Sequence, residues 1–178
     1  MLGWLRGAPG CPIGAELDPE AMASVRAQLT GALADPDAGP SGPVLGGLRP
    51  GVSSREDVAR WSDVQGLQCG PLMHECRGAL FGAAQARVSL RYAGDRLLDV
   101  EVSARTDEPD AALRIADAMG AGLGRQADPW RADGALGRAP LSQRRREYRF
   151  DDLRAEVRAT NLGARGFLIR GFAQSLGS

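Results

Sequence analysis

Between residues 86 and 104 the sequence alternates strictly between apolar and polar positions. Val88, Leu90 and Tyr92 interleave with Arg87, Ser89 and Arg91. After Ala93-Gly94-Asp95, Leu98, Val100, Val102 and Ala104 interleave with Asp99, Glu101 and Ser103. Successive strand side chains point to opposite faces, so this pattern predicts an antiparallel hairpin with one buried and one wet face. The same period returns near the C-terminus. Tyr148 and Phe150 lead, Leu153, Ala155, Val157 and Ala159 follow, and Phe167 and Ile169 close the series. An antiparallel sheet must therefore supply much of the fold.

Helical spacing separates these runs. Asp18-Pro19-Glu20 opens a helix whose stripe is Met22, Val25, Leu29 and Leu33, with Asp18 as N-cap and Pro19 at the first helical position. Ser54-Arg-Glu-Asp-Val predicts a shorter helix from Ser53 or Ser54 to Trp61, with acidic residues in its first turn. A further helix is expected from about Asp107 to Gly124, with Ala112, Ile115, Met119 and Leu123 on its inner face. Residues 36–51 are rich in Gly and Pro and read as a linker or exposed loop, and residues 62–84 are ambiguous.

Sliding the chain by 69 positions superposes 61–102 on 130–171, with ten identical pairs among 42 where roughly four are expected by chance. Trp61/Trp130, Arg77/Arg146, Phe81/Phe150, Val88/Val157, Gly94/Gly163 and Arg96/Arg165 are among them. The expectation is an α+β fold made of a tandem helix-plus-antiparallel-strands repeat, helices packed on antiparallel sheet. Residues 1–17 form an irregular lead-in, 18–105 the first copy with a Gly/Pro-rich insertion at about 36–56, and 106–174 the second. Together they make one pseudo-symmetric domain, from which 38–50 should be removable without loss of folding.

Composition bounds the function classes. The chain has 178 residues, with 22 basic against 22 acidic, so no global field recruits nucleic acid or an anionic membrane. Every basic residue except one His is Arg, which fits a GC-rich, bacterial-type genome and carries no functional weight by itself. No stretch approaches the ~20 apolar residues that cross a bilayer. Three cysteines, and residues 1–10 without the apolar run of a signal peptide, lead us to expect a cytoplasmic chain with free thiols.

Cys69, His74 and Cys76 form the one constellation with metal-ligand chemistry. Their Cys-x4-His-x-Cys spacing departs from the closely spaced Cys pairs of zinc sites, so ordinary packing is expected and no metal or cofactor is assigned. No catalytic residue is assigned either. Arg144-Arg145-Arg146 reads as a solvated strand entrance. Trp61 and Trp130, with Arg96 and Arg165 beside the matched glycines, are the candidate binding residues: Trp and Arg anchor many interfaces.

The order helix, hairpin, helix, three strands resembles in outline the roadblock-type regulatory domains, and Arg96-Leu97-Leu98 leading towards an Ala-rich helix adds to the likeness. Tandem helix-on-sheet modules of the beta-lactamase-inhibitor kind are similar in the same loose sense. Each likeness implies a fold and leaves function open. The expectation is a non-enzymatic protein-interaction module, an adaptor, inhibitor or regulatory subunit. Another protein is its expected partner, with no nucleic acid, no membrane and no stated oligomeric state. The alternative is a small-molecule-binding protein or enzyme using a cleft between the two copies.

Overall fold

Among the described residues eight strands form a single antiparallel sheet, on which the described helices are arranged. The computed structural model describes residues 39–121, 123, 131–133 and 141–177, with positions 33, 34 and 37. All belong to the second of two compact units, Met1–Ala32 and Leu33–Ser178. In chain order the elements are α1 (Arg55–Val64), β1 (Gln68–Cys69), β2 (Glu75–Leu80), β3 (Ala83–Ala93) and β4 (Arg96–Thr106). Then come α2 (Pro109–Ala121), β5 (Arg131–Asp133), β6 (Gln143–Arg149), β7 (Leu153–Asn161), a short 3-10 turn (Gly163–Arg165) and β8 (Phe167–Ser175). The spatial order is β1-β2-β3-β4-β8-β7-β6-β5, so two meanders join edge to edge through β4 and β8.

This corrects the expected fold class. One continuous sheet with only two α-helices of any length among the described residues is a sheet-dominated architecture, not a tandem of helix-plus-strands units. The ungapped match also fails locally. Arg77 stands opposite Arg87, whereas Arg146, its supposed equivalent, stands opposite the buried Val157 on the other face. Four strands, not one hairpin, separate α1 from α2, so the element order behind the outline likenesses does not hold either. The helix expected over 18–33 and Trp130 lie outside the described residues. No helix among the described residues is long and apolar enough to cross a membrane.

The inner face carries the core. Val88 and Leu90 of β3, Val100 and Val102 of β4, Ile169, Gly171 and Ala173 of β8, and Val157 and Ala159 of β7 are buried, successive ones two residues apart along each strand. Helix α2 packs on β8, β7 and β4 through Ala112, Ile115, Ala116 and Met119. Gly120 is required there, because a Cβ would lie 2.7 Å from the hydroxyl of the buried Tyr148. Helix α1 is set by a capping box: Ser54 Oγ accepts from the Asp57 N–H at 3.1 Å, and Asp57 Oδ2 accepts from the Ser54 N–H at 2.9 Å. Its Val58 and Trp61 enter the core.

Two further expectations are revised. Leu98 was expected on the buried face, but a register shift between Arg91 and Tyr92 sets Tyr92 opposite Leu97, and Leu97 takes the core position. The Gly/Pro-rich segment is not dispensable. Val44, Leu45 and Leu48 are fully buried, and the turn they form receives the Trp61 indole, which donates to the Gly46 carbonyl at 3.0 Å. Asp152 fastens this segment to the sheet, accepting from the Ser41 N–H at 2.7 Å, the Ser41 hydroxyl at 3.0 Å and Arg49 at 3.2 Å. Burial pushes the Asp152 carboxyl up, but the Ser41 and Arg49 donors outweigh it and hold the group below its ordinary value. Removing 38–50 would excise part of the core.

Candidate functional site

Alternation sends the polar residues of the same strands to the opposite face, and the sheet register lines them up across strands. One transverse row reads Gln68, Arg77, Arg87, Ser103, Arg170, Arg158, Arg145, each residue directly opposite the next. Arg131 of β5 stands next in register. At the usual strand separation, the span from Arg77 to Arg145 is about 24 Å. Two residues along the strands runs a second row: Glu75, Ser89, Glu101, Phe172, Glu156, Glu147. A third holds Arg91, Asp99, Gln174, Arg154 and Arg149.

Ion pairs stitch the rows together. Arg158 meets Glu156 at 2.6 Å, Arg77 meets Glu75 at 2.7 Å, and Arg170 meets Glu101 at 3.6 Å. Arg87 shares Glu75, Arg145 bridges Glu147 and Glu156, and Arg91 pairs with Asp99. Burial raises the Glu147 carboxyl, but Arg145, Arg149 and Arg154 around it prevail and set it below the ordinary range. Solvent-exposed pairs of this kind contribute little stability, about 0–1 kcal/mol each. Their consequence is positional, because they hold guanidiniums in place. With Arg105, these rows contain nine arginines and five carboxylates. In a chain of zero net charge the face is positive at the expense of the rest.

Four of these arginines line one hollow. A basin of about 840 Å³ opens over β2, β3, β4 and β8, lined by Arg77, Arg87, Arg105 and Arg170 with Gln68, Gln85 and Ser103. No carboxylate residue among the described residues lines it. The Arg77, Arg87 and Arg170 side chains are 71%, 58% and 59% exposed, so the described residues of the second unit leave the basin open. Arg105, opposite Leu168, has no ion pair among the described residues. What such an array can do is bind and orient anions through charge-assisted hydrogen bonds.

Those residues expected from the sequence that the structure describes lie elsewhere. Trp61 is a core anchor of α1. Arg96 begins β4, its guanidinium 3.4 Å from the Gly51 carbonyl, and Arg165 sits in the 3-10 turn before β8. Since β4 and β8 are antiparallel, those two arginines stand at opposite ends of the pair and form no common site. Cys69 and Cys76 are cross-strand neighbours in β1 and β2 joined by a disulfide, so neither is a free thiol or a metal ligand. His74 turns Nδ1 to the Leu90 carbonyl at 3.2 Å and packs edge-on against Tyr92. Among the described residues no group of three or more His, Cys, Asp or Glu is placed to hold a metal.

The Arg144-Arg145-Arg146 run divides between faces. Arg145 joins the open row, while Arg144 and Arg146 stand opposite Ala159 and Val157 on the inner face, with Arg146 only 16% exposed. The wet face of the first hairpin already named Arg87 and Ser103 as co-facial, but nothing in the sequence announced that β8 would deliver Arg170 beside them. Set against known protein families, characterised sequences and solved structures, the chain matches none.

Proposed function

We propose that this chain is a non-enzymatic protein-interaction module, an adaptor, inhibitor or regulatory subunit, whose docking surface is the open sheet face and whose partner presents an acidic segment. The transverse arginine row supports this reading. Arg is enriched at protein interfaces because its planar fork pairs with carboxylates bidentately. A positive face complements an acidic partner and speeds its encounter, and the same charge opposes self-association through this face. Half-buried Leu168 and Phe172 add apolar contact at the centre. The carboxylate row beside the arginines would repel a nucleic-acid backbone crossing the strands, and Phe172 alone makes no stacking ladder.

Poly-L-glutamate serves as the probe. Titrated into the whole chain at low ionic strength, it should bind with an affinity that falls as salt rises. Arg87→Gln and Arg170→Gln should each weaken binding about tenfold, the loss of one charge-assisted contact. Arg96→Gln and Arg165→Gln, at the sheet ends, should leave it within about twofold of the parent. No binding, or equal losses at Arg96 and Arg87, contradicts the reading.

One observation favours a second reading, that of a small-molecule-binding protein: the basin reaches across β4 to β8, where the two meanders meet. The compartment belongs with these proposals. A cytoplasmic chain was expected, yet structural disulfides persist in oxidising compartments and are rare in the reducing cytoplasm. We favour a compartment in which the Cys69–Cys76 bridge survives.

A further inference from the structure

We propose that the basin over β2, β3, β4 and β8 is a discrete site for a compact group carrying two or more phosphoryl charges. The inference rests on the second reading above, that this hollow takes an anionic ligand, and it names the ligand chemistry. Elsewhere on the face every arginine of the three rows has an ion-pair partner: Glu147 and Glu156 between them meet Arg145, Arg149, Arg154 and Arg158, and Asp99 meets Arg91. Around the basin the ratio of arginines to glutamates is the same, four to two, but one arginine is left over. Glu75 is shared by Arg77 and Arg87, Glu101 lies 3.6 Å from Arg170, and Arg105 has no ion-pair partner among the described residues. Neither glutamate lines the hollow.

Geometry separates phosphoryl from carboxylate ligands. Arg77, Arg87, Ser103 and Arg170 occupy four adjacent strands in one register row, an extent of about 14 Å, with Arg105 about 7 Å further along β4. One carboxylate offers a single charge and two oxygens, which one guanidinium fork satisfies. Four guanidiniums over this extent would leave most donors idle on such a ligand. A phosphoryl group carries close to two charges and three acceptor oxygens, so two or more in sequence match both the charge and the span. Gln68, Gln85 and Ser103 supply neutral donors at the rim, where the hydroxyl and amides can complete the coordination of oxygens that the forks do not reach.

The test uses the whole chain and inorganic tripolyphosphate, titrated calorimetrically at low ionic strength. We expect saturable binding of one ligand per chain. Arg105→Ala should weaken it about tenfold or more, and Arg105→Lys, which keeps the charge but not the fork, by less. Arg149→Ala, on the same face but outside the basin, should leave it within about twofold. Arg105 is exposed and makes no ion pair among the described residues, so an unchanged melting temperature is the expected folding control. A peptide bearing two adjacent phosphoserines that outcompetes tripolyphosphate identifies a modified protein as the source. A peptide that binds more weakly than tripolyphosphate identifies a free phosphorylated metabolite. Absence of saturation, or equal losses at Arg149 and Arg105, overturns the proposal. So does poly-L-glutamate binding to the basin as tightly as tripolyphosphate, an outcome that leaves protein docking on this face intact.

Discussion

Ile169→Ala should cost about 3–4 kcal/mol and lower the melting temperature by roughly 10 °C, whereas Leu168→Ala one residue earlier should cost under about 1 kcal/mol. Ile169 is fully buried in β8, with Ala104 opposite it on β4 and Ala159 opposite it on β7. Alanines on both sides cannot extend into the space left by the deleted carbons, so the cavity stays open and the cost falls in the upper part of the usual range. Leu168 points to the open face beside Arg105 and Thr160, where water fills any gap. Denaturant unfolding of the two variants reads the difference directly. Similar costs would mean that both faces of β8 are packed, and the docking face would no longer exist.

Gly166→Ala should destabilise by about 3 kcal/mol or more, against about 1 kcal/mol for Gly94→Ala. Both glycines have positive φ, +73° and +58°. Gly94 stands in open space, so alanine there meets only the cost of the left-handed conformation. At Gly166, ψ is −145°, a region essentially confined to glycine, and a Cβ would lie 2.6 Å from the Thr106 carbonyl oxygen. That oxygen is backbone and cannot rotate aside. The next residue, Phe167, is the register partner of Thr106, so strain there loosens the β4–β8 pairing that brings Ser103 beside Arg170. Gly166→Ala should therefore weaken anion binding as well as stability. Chemical denaturation that finds Gly166→Ala no costlier than Gly94→Ala would contradict the described turn.

What could be read in advance was local. Period-two runs identified β3, β4, β7 and β8, and the Ser54 cap identified α1, because those signals depend only on near neighbours. Three features did not follow from local pattern. Strand β2 was hidden because its turn into β3 uses Phe81 at φ 54° followed by Gly82 at φ 80°, and a bulky residue at positive φ is not a usual hairpin signal. The 44–48 turn looked like a linker because its two glycines and the flanking Pro43 and Pro50 obscure three apolar residues that enter the core together. The arginine row depends on the β4–β8 pairing between residues some 67 apart, as Ser103 and Arg170 are, and a slip of one residue would send Arg170 to the core. Arginine abundance was legible and uninformative; the information lay in register.

The central claim is that the arginine face is open and the helix-covered face closed. Labelling the intact chain with a dicarbonyl reagent that modifies accessible guanidiniums, followed by peptide mass spectrometry, tests it most directly. Rapid modification of Arg77, Arg87, Arg105 and Arg170, with slow modification of Arg146, is the result this account predicts. Arg146 reacting as fast as the basin arginines, or the basin arginines protected in the free chain, would contradict it.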